Sequence, residues 1–198
     1  MKLKVLVADK FPDKYIQQMR DLDLDVIYQP KLGEKDLPEA AKDVDILVVR
    51  STVVNEETIN LTKKLNLIIR AGSGVNNINI SAANKKGIYV TNCPGMNAVA
   101  VAELAIGLMI SLDRFIPDNV SDFNKNVWNK DKYSKGKGLK GKTLGLIGVG
   151  NIGKEVAKRA LAFEMNVYGK DITRIEGVQI KDFSEMDQLL PLCDVVSI

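Results

Sequence analysis

The hexad Gly148-Val149-Gly150-Asn151-Ile152-Gly153 stands between an apolar, β-branched run, Thr143–Ile147, and a stretch of helical periodicity, residues 152–163. Glycines at these intervals have separate tasks between a strand and a helix. The first permits a tight turn, the second lets a phosphate approach the backbone, and the third lets helix and strand pack closely. The first turn of the helix then offers N–H groups and a positive partial charge that suit a pyrophosphate. Asp171 follows at the end of the next apolar run. A carboxylate there accepts hydrogen bonds from ribose hydroxyls and repels a 2′-phosphate, so the expected cofactor is NAD rather than NADP.

Other chemistry is bounded by what the sequence lacks. It contains no histidine, which excludes His-ligated zinc, a Ser-His-Asp triad and a histidine general base within these residues. Cys93 and Cys193 are too few for a disulfide framework and point to a reducing compartment. The net charge of +3 is too small to argue for a nucleic-acid or membrane partner. Residues 125–142 hold seven lysines against one acid, Asp131, with Trp128 and Tyr133 among them. Interleaved basic and aromatic residues can bind single strands, but no nucleic-acid motif accompanies them, and a solvated connector is the preferred reading. The N-terminus has no long apolar segment of the secretory kind. The longest apolar stretch, residues 98–112, is broken by Glu103 and falls short of a bilayer span. The expectation is a cytoplasmic protein with no metal site and neither a nucleic-acid nor a membrane partner.

The elements that must position these residues alternate along the chain. Val5-Leu6-Val7, Ile46-Leu47-Val48-Val49, Leu67-Ile68-Ile69 and Ile88-Tyr89-Val90 read as buried strands. Helices between them are signalled by Pro12, by Asn55 before Glu56-Glu57, and by a segment from Ile80 that stops at Gly87. Near-continuous apolar strands alternating with helices imply parallel sheets covered on both faces. Residues 97–116 read as one long helix, apolar nearly all round, to be buried between units or subunits, with Glu103 a paired or capping carboxylate. A second series then begins: strands at 143–147, 166–168 and 178–180, a helix over 152–163, and a final strand at 195–198. Ser184-Glu185-Met186-Asp187 resembles a capping box for a helix reaching Leu190. A parallel strand at the chain end, with no covering helix after it, suggests truncation. The expected fold is α/β with two parallel-sheet domains, 1–96 and 97–198, the second incomplete.

The stretches Val49-Arg50-Ser51, RAGSGVNNINI from Arg70, GIYVTNCPGMNAVAVAEL from Gly87, GKTLGLIGVGNIG from Gly141 and the terminal LCDVVSI together resemble the D-isomer-specific 2-hydroxyacid dehydrogenases. The resemblance implies a flavodoxin-like substrate domain, a Rossmann nucleotide-binding domain, and a homodimer formed through the long helix and the connector. It implies that Arg50, Ser51, Ser73, Gly74 and Asn97 surround the substrate and the nicotinamide, and that Asn151, Ile152 and Asp171 join Gly148, Gly150 and Gly153 in holding the cofactor. The family's catalytic arginine, its glutamate and its proton-accepting histidine would lie beyond residue 198, so no proton-transfer residue is assigned. The implied small-molecule substrate is a phosphorylated hydroxy acid, 3-phosphoglycerate, at the first step of phosphorylated serine biosynthesis. Its carboxylate and phosphate call for several cations: Arg50, Arg70 and Lys130, the last open to supply by the same or a partner subunit. Cys93 reads as a small filler. Two other readings share the fold: a glyoxylate, hydroxypyruvate or D-lactate type reductase, and a non-catalytic NAD-sensing corepressor.

Overall fold

The computed structural model describes residues 2–183 and 185–198 and divides into two units, Met1–Met96 and Asn97–Ile198. In the first unit the strands are β1 (Lys4–Val7), β2 (Asp25–Tyr28), β3 (Ile46–Val49), β4 (Leu67–Arg70) and β5 (Tyr89–Asn92). They form one all-parallel sheet in the order β2-β1-β3-β4-β5, the flavodoxin-like order, whose switch point lies between β1 and β3. β2 was not foreseen: Asp25-Val26-Ile27-Tyr28 is short and opens on a charge, and its place at the sheet edge tolerates both. Between the strands lie α1 (Asp13–Asp21), α2 (Leu37–Ala40), α3 (Glu56–Leu61) and α4 (Ile80–Lys85). Asn55 and Asn79 cap α3 and α4 by accepting the N–H groups of Thr58 and Ala82. Gly87, at φ +69°, ends the last turn. Leu6, Leu37, Leu47, Ile59 and Ile68 are fully buried on one side of this sheet, and Val5, Val7, Ile16 and Val48 on the other.

The second unit begins with α5 (Ala98–Asp113), α6 (Ile116–Asn124) and α7 (Lys130–Tyr133). The single helix expected over 97–116 is therefore two: Phe115 adopts a left-handed backbone at φ 52°, and Pro117 lies in the first turn of α6. The connector expected over 125–142 carries a helical turn of its own, with Asn129 accepting the Lys132 N–H, and Leu139 is buried in the core. α5 buries Ala98, Ala102, Ile106 and Met109 but leaves Val99, Leu104, Leu108 and Leu112 exposed. Glu103 forms a 3.5 Å ion pair with Arg159.

Beyond these helices, β6 (Thr143–Ile147), α8 (Asn151–Ala162), β7 (Asn166–Lys170), β8 (Lys181–Asp182), α9 (Met186–Leu189) and β9 (Val195–Ser197) build a parallel sheet ordered β8-β7-β6-β9. This is the first part of a Rossmann arrangement. The strand expected at 178–180 lies at Lys181–Asp182 instead. Val178 and Ile180 pack on the core without pairing, so their alternation reflects burial rather than a ladder. The helix expected to reach Leu190 ends at Leu189 and passes into a 3-10 turn, Leu190–Leu192. Ser184 of the anticipated capping box lies outside the described residues. Among the described residues no helix is long and apolar enough to cross a membrane, and no three metal-type side chains converge.

At the end of α5, Asp113 accepts 2.7 Å hydrogen bonds from Lys142 Nζ and from the Gly138 N–H, tying the helix to the approach of β6. Its side chain is only 8% exposed. The Lys142 ammonium, aided by the Gly138 amide, outweighs desolvation and holds the Asp113 carboxyl below the usual carboxylate range. A depressed folded value means that this stabilisation is complete above the unfolded pKa of about 3.9 and disappears as pH falls through the folded one. Asp113→Asn is expected to lower the Tm by roughly 3–6 °C at neutral pH, with the gap from wild type closing as pH falls below the ordinary carboxylate range. Calorimetric melts from pH 7 to 2.5 check this, and a gap that persists unchanged in acid contradicts it.

Candidate cofactor and anion sites

In the second unit the glycine turn follows β6 at the carboxyl edge of the sheet, where α/β folds place ligands. Gly148 sits at φ +92°, a conformation closed to most side chains. Its N–H donates to the Lys170 carbonyl at 2.8 Å, joining the turn to the end of β7. A Cβ on Gly153 would collide with the Gly148 carbonyl, so the glycine there allows α8 to sit directly on the turn. The sequence reading credited Gly153 with helix–strand packing; its closest neighbour is the turn itself. Gly150 occupies the N-cap of α8 in an extended backbone, with no side chain capping the helix. Asn151, Ile152 and Gly153 follow in the first turn, where N–H groups have no intrahelical acceptor.

Asp171, just after β7, is held against this turn. The Val149 N–H donates to its Oδ2 at 2.6 Å, and the Thr173 N–H donates to its Oδ1 at 3.2 Å. The Val149 donor, then that of Thr173, keep the carboxyl below its ordinary range despite some desolvation. The group is thus an anion at neutral pH, partly exposed and with lone pairs to spare. The features fit a dinucleotide: a backbone cradle that side chains would fill, an uncapped helix start, and a charged acceptor at the next strand end.

In the first unit the corresponding edge gathers Arg50, Ser51, Arg70, Ser73 and Gly74. Val49 and Arg70 are register partners on β3 and β4, so Arg50 leaves the sheet beside Arg70. Arg50 and Ser51 are exposed. Arg70 is half-buried, and its guanidinium lies so close over Gly72 that a Cβ there would overlap it. Its Nε is buried with no acceptor among the described residues. The loop from 71 to 74 is stitched down: the Ala71 N–H donates to Val49 O, the Cys93 N–H to Gly72 O, and Asn92 Nδ2 to Ser73 O at 2.6 Å.

Sequence reasoning missed what fixes this edge. Asp9, two residues past the end of β1, accepts the N–H groups of Arg50, Ser51 and Thr52 on one oxygen, Oδ2, at 2.6, 3.0 and 3.1 Å. Burial raises its carboxyl pKa, but the three backbone donors together outweigh burial and bring it below the ordinary value. Asn77 adds a second tie, donating from Nδ2 to Thr52 O. A polar residue just past a buried strand was the available signal for Asp9.

Asn97 and Lys130 belong to the second unit. Asn97 opens α5, its carbonyl accepting the Val101 N–H. Lys130 opens α7 and lines a depression of about 220 Å³ with Trp128, Tyr133 and Ser134.

Comparison with known proteins agrees with this geometry. The family model for the D-isomer specific 2-hydroxyacid dehydrogenase catalytic domain matches residues 5–186. A D-3-phosphoglycerate dehydrogenase of Methanocaldococcus jannaschii is 38% identical over 99% of this chain, and the chain spans 38% of that relative's length. A hydroxypyruvate reductase of Thermotoga maritima is 40% identical over 84% of the chain and 55% of the relative. The NAD+-bound 3-phosphoglycerate dehydrogenase of Entamoeba histolytica superposes with a TM-score of 0.80 at 30% identity, over 99% of this chain and 62% of that one. The two sheet orders, the glycine turn beneath α8 and a family match running across both units lead to one assignment: the chain belongs to the D-isomer specific 2-hydroxyacid dehydrogenases.

Proposed function

We propose that this chain carries the cofactor turn and the anion-binding edge of an NAD-dependent dehydrogenase that oxidises 3-phospho-D-glycerate to 3-phosphohydroxypyruvate. The observation that carries the redox reading is the Gly148 turn, closed on one side by α8 and on the other by the Asp171 carboxylate. When bound, NAD would supply the acceptor for the hydride leaving C2 of the hydroxy acid. The N–H groups at the start of α8, with Asn151 and Ile152, would hold its pyrophosphate, and Asp171 would accept hydrogen bonds from the adenosine ribose hydroxyls. Ser73 and Gly74 lie with the substrate and the nicotinamide, as does Asn97. The cytoplasm is the proposed setting.

Two arginines on adjacent strand ends support a substrate with more than one anionic group. Arg50 suits bidentate contact with a carboxylate. The half-buried guanidinium of Arg70 beside it supplies a second positive charge, suited to a phosphate. Lys130 adds a third cation, from a second copy of the chain. The 40% identical hydroxypyruvate reductase keeps an unphosphorylated substrate as the competing reading. Both are tested by kinetics on the complete protein with NADH and a panel of 2-oxo acids. Arg70→Ala is expected to raise the KM for 3-phosphohydroxypyruvate by roughly ten- to a hundredfold while barely changing that for hydroxypyruvate. Equal losses on both substrates, or a wild-type preference for hydroxypyruvate, would remove the phosphoglycerate assignment.

The homodimer is proposed from α5 and α6. Leu104, Leu108 and Leu112 along α5, and Ile116, Val120 and Phe123 along α6, are large apolar side chains left exposed, and exposed apolar surface of this kind marks association sites. Light scattering at micromolar concentration should return twice the chain mass, and Leu108→Glu with Phe123→Glu should return one. A wild-type monomer under these conditions would contradict the assembly.

A further inference from the structure

Asp9 stands at the switch point of the first sheet, between β1 and β3, where open α/β sheets place their ligands. Three successive N–H groups, those of Arg50, Ser51 and Thr52, converge on its single Oδ2 atom. Successive backbone amides turned to one point form a concave anion site, and here the chain fills that site with its own carboxylate. The backbone of residues 50–52 is therefore not available to an incoming acid. What Arg50 has left to offer an acid is its exposed guanidinium, carried on the peptide whose N–H Asp9 accepts.

We propose that Asp9 is a positioning residue for substrate binding, acting through Arg50 and Ser51. This inference rests on the reading that Arg50 binds the acid. Asp9 itself does not touch the substrate. It fixes the backbone from which Arg50 extends and keeps three amides from capturing the substrate carboxylate in an unproductive place. Its anionic form suits the task, because three donors on one oxygen favour the charged state over the neutral one.

The test uses the complete protein, with Asp9→Ala, Asp9→Asn and Arg50→Ala compared with wild type. Asp9→Ala is expected to raise the KM for the oxo acid by about tenfold, with a smaller change in kcat and no change in the Kd for NADH. Asp9→Asn keeps an oxygen acceptor and should recover part of the loss. Formate added to Asp9→Ala should lower the KM again by occupying the vacated amides, whereas chloride at equal ionic strength should not. Hydrogen exchange at residues 50–52 should quicken in Asp9→Ala while β1 and β3 stay protected, which separates loop release from unfolding. If Arg50→Ala raises the KM and Asp9→Ala does not, the positioning role is overturned and the reading of Arg50 stands. If Arg50→Ala is without effect, that reading falls and the inference with it. A KM that drops in Asp9→Ala would show the amides themselves binding the acid productively, and this too overturns the proposal.

Discussion

Parallel strands deliver their carboxyl ends to one edge of a sheet, and the loops that leave that edge have no ladder to hold them. In this chain a carboxylate one residue or so past a strand takes over that task in each unit. Asp171 after β7 receives the Val149 N–H from the turn after β6, and Asp9 after β1 receives the Arg50–Thr52 amides from the loop after β3. Each contact joins neighbouring strands just beyond their last rung, where hydrogen-bonded pairing stops. The residues assigned to ligands are thus held by short charge-assisted bonds to backbone, roughly twice as strong as neutral ones.

Close approach is the second requirement, and glycine meets it where a side chain cannot. Gly153 lets α8 rest on the Gly148 carbonyl. On the neighbouring strands, a Cβ on Gly145 would strike the sulfur of Cys193, and one on Gly169 would press on Ile180 and Val149. Glycine at both positions therefore lets these neighbours pack directly on β6 and β7. Cys193 acts here as filler: its thiol donates to the Leu189 carbonyl, and burial pushes its pKa up, the opposite of an activated nucleophile.

The legibility of this arrangement in the sequence followed the strength of the local signal. β1, β3, β4 and β6 are apolar runs that a two-sided parallel sheet demands, and Asn55 announced α3 by its capping chemistry. The glycine hexad was readable because turn, approach and packing each impose a residue type. The break after Asp113 was not, since the left-handed Phe115 carries no composition cue and the apolar pattern runs on into Ile116 and Val120. Asp9 escaped for a different reason. Its partners lie about forty residues away and are backbone amides, which any residue type provides. Lys86 is a similar case, with its ammonium donating to the carbonyls of Ile59, Asn60 and Thr62 at the end of α3.

The proposed preference for NAD rests on a charged Asp171 held beside the Gly148 turn. Its Oδ1 is engaged by Thr173 and its Oδ2 by Val149, which hold the negative charge where a 2′-phosphate would meet it. Arg174, exposed three residues on, is the only nearby cation on that loop among the described residues. Isothermal titration calorimetry of NADH and NADPH against the complete protein measures the consequence directly. The account predicts NADH binding at least about tenfold tighter, with Asp171→Asn narrowing the ratio by weakening NADH and relieving the repulsion of NADPH. Equal dissociation constants for the two cofactors in the wild type would contradict it.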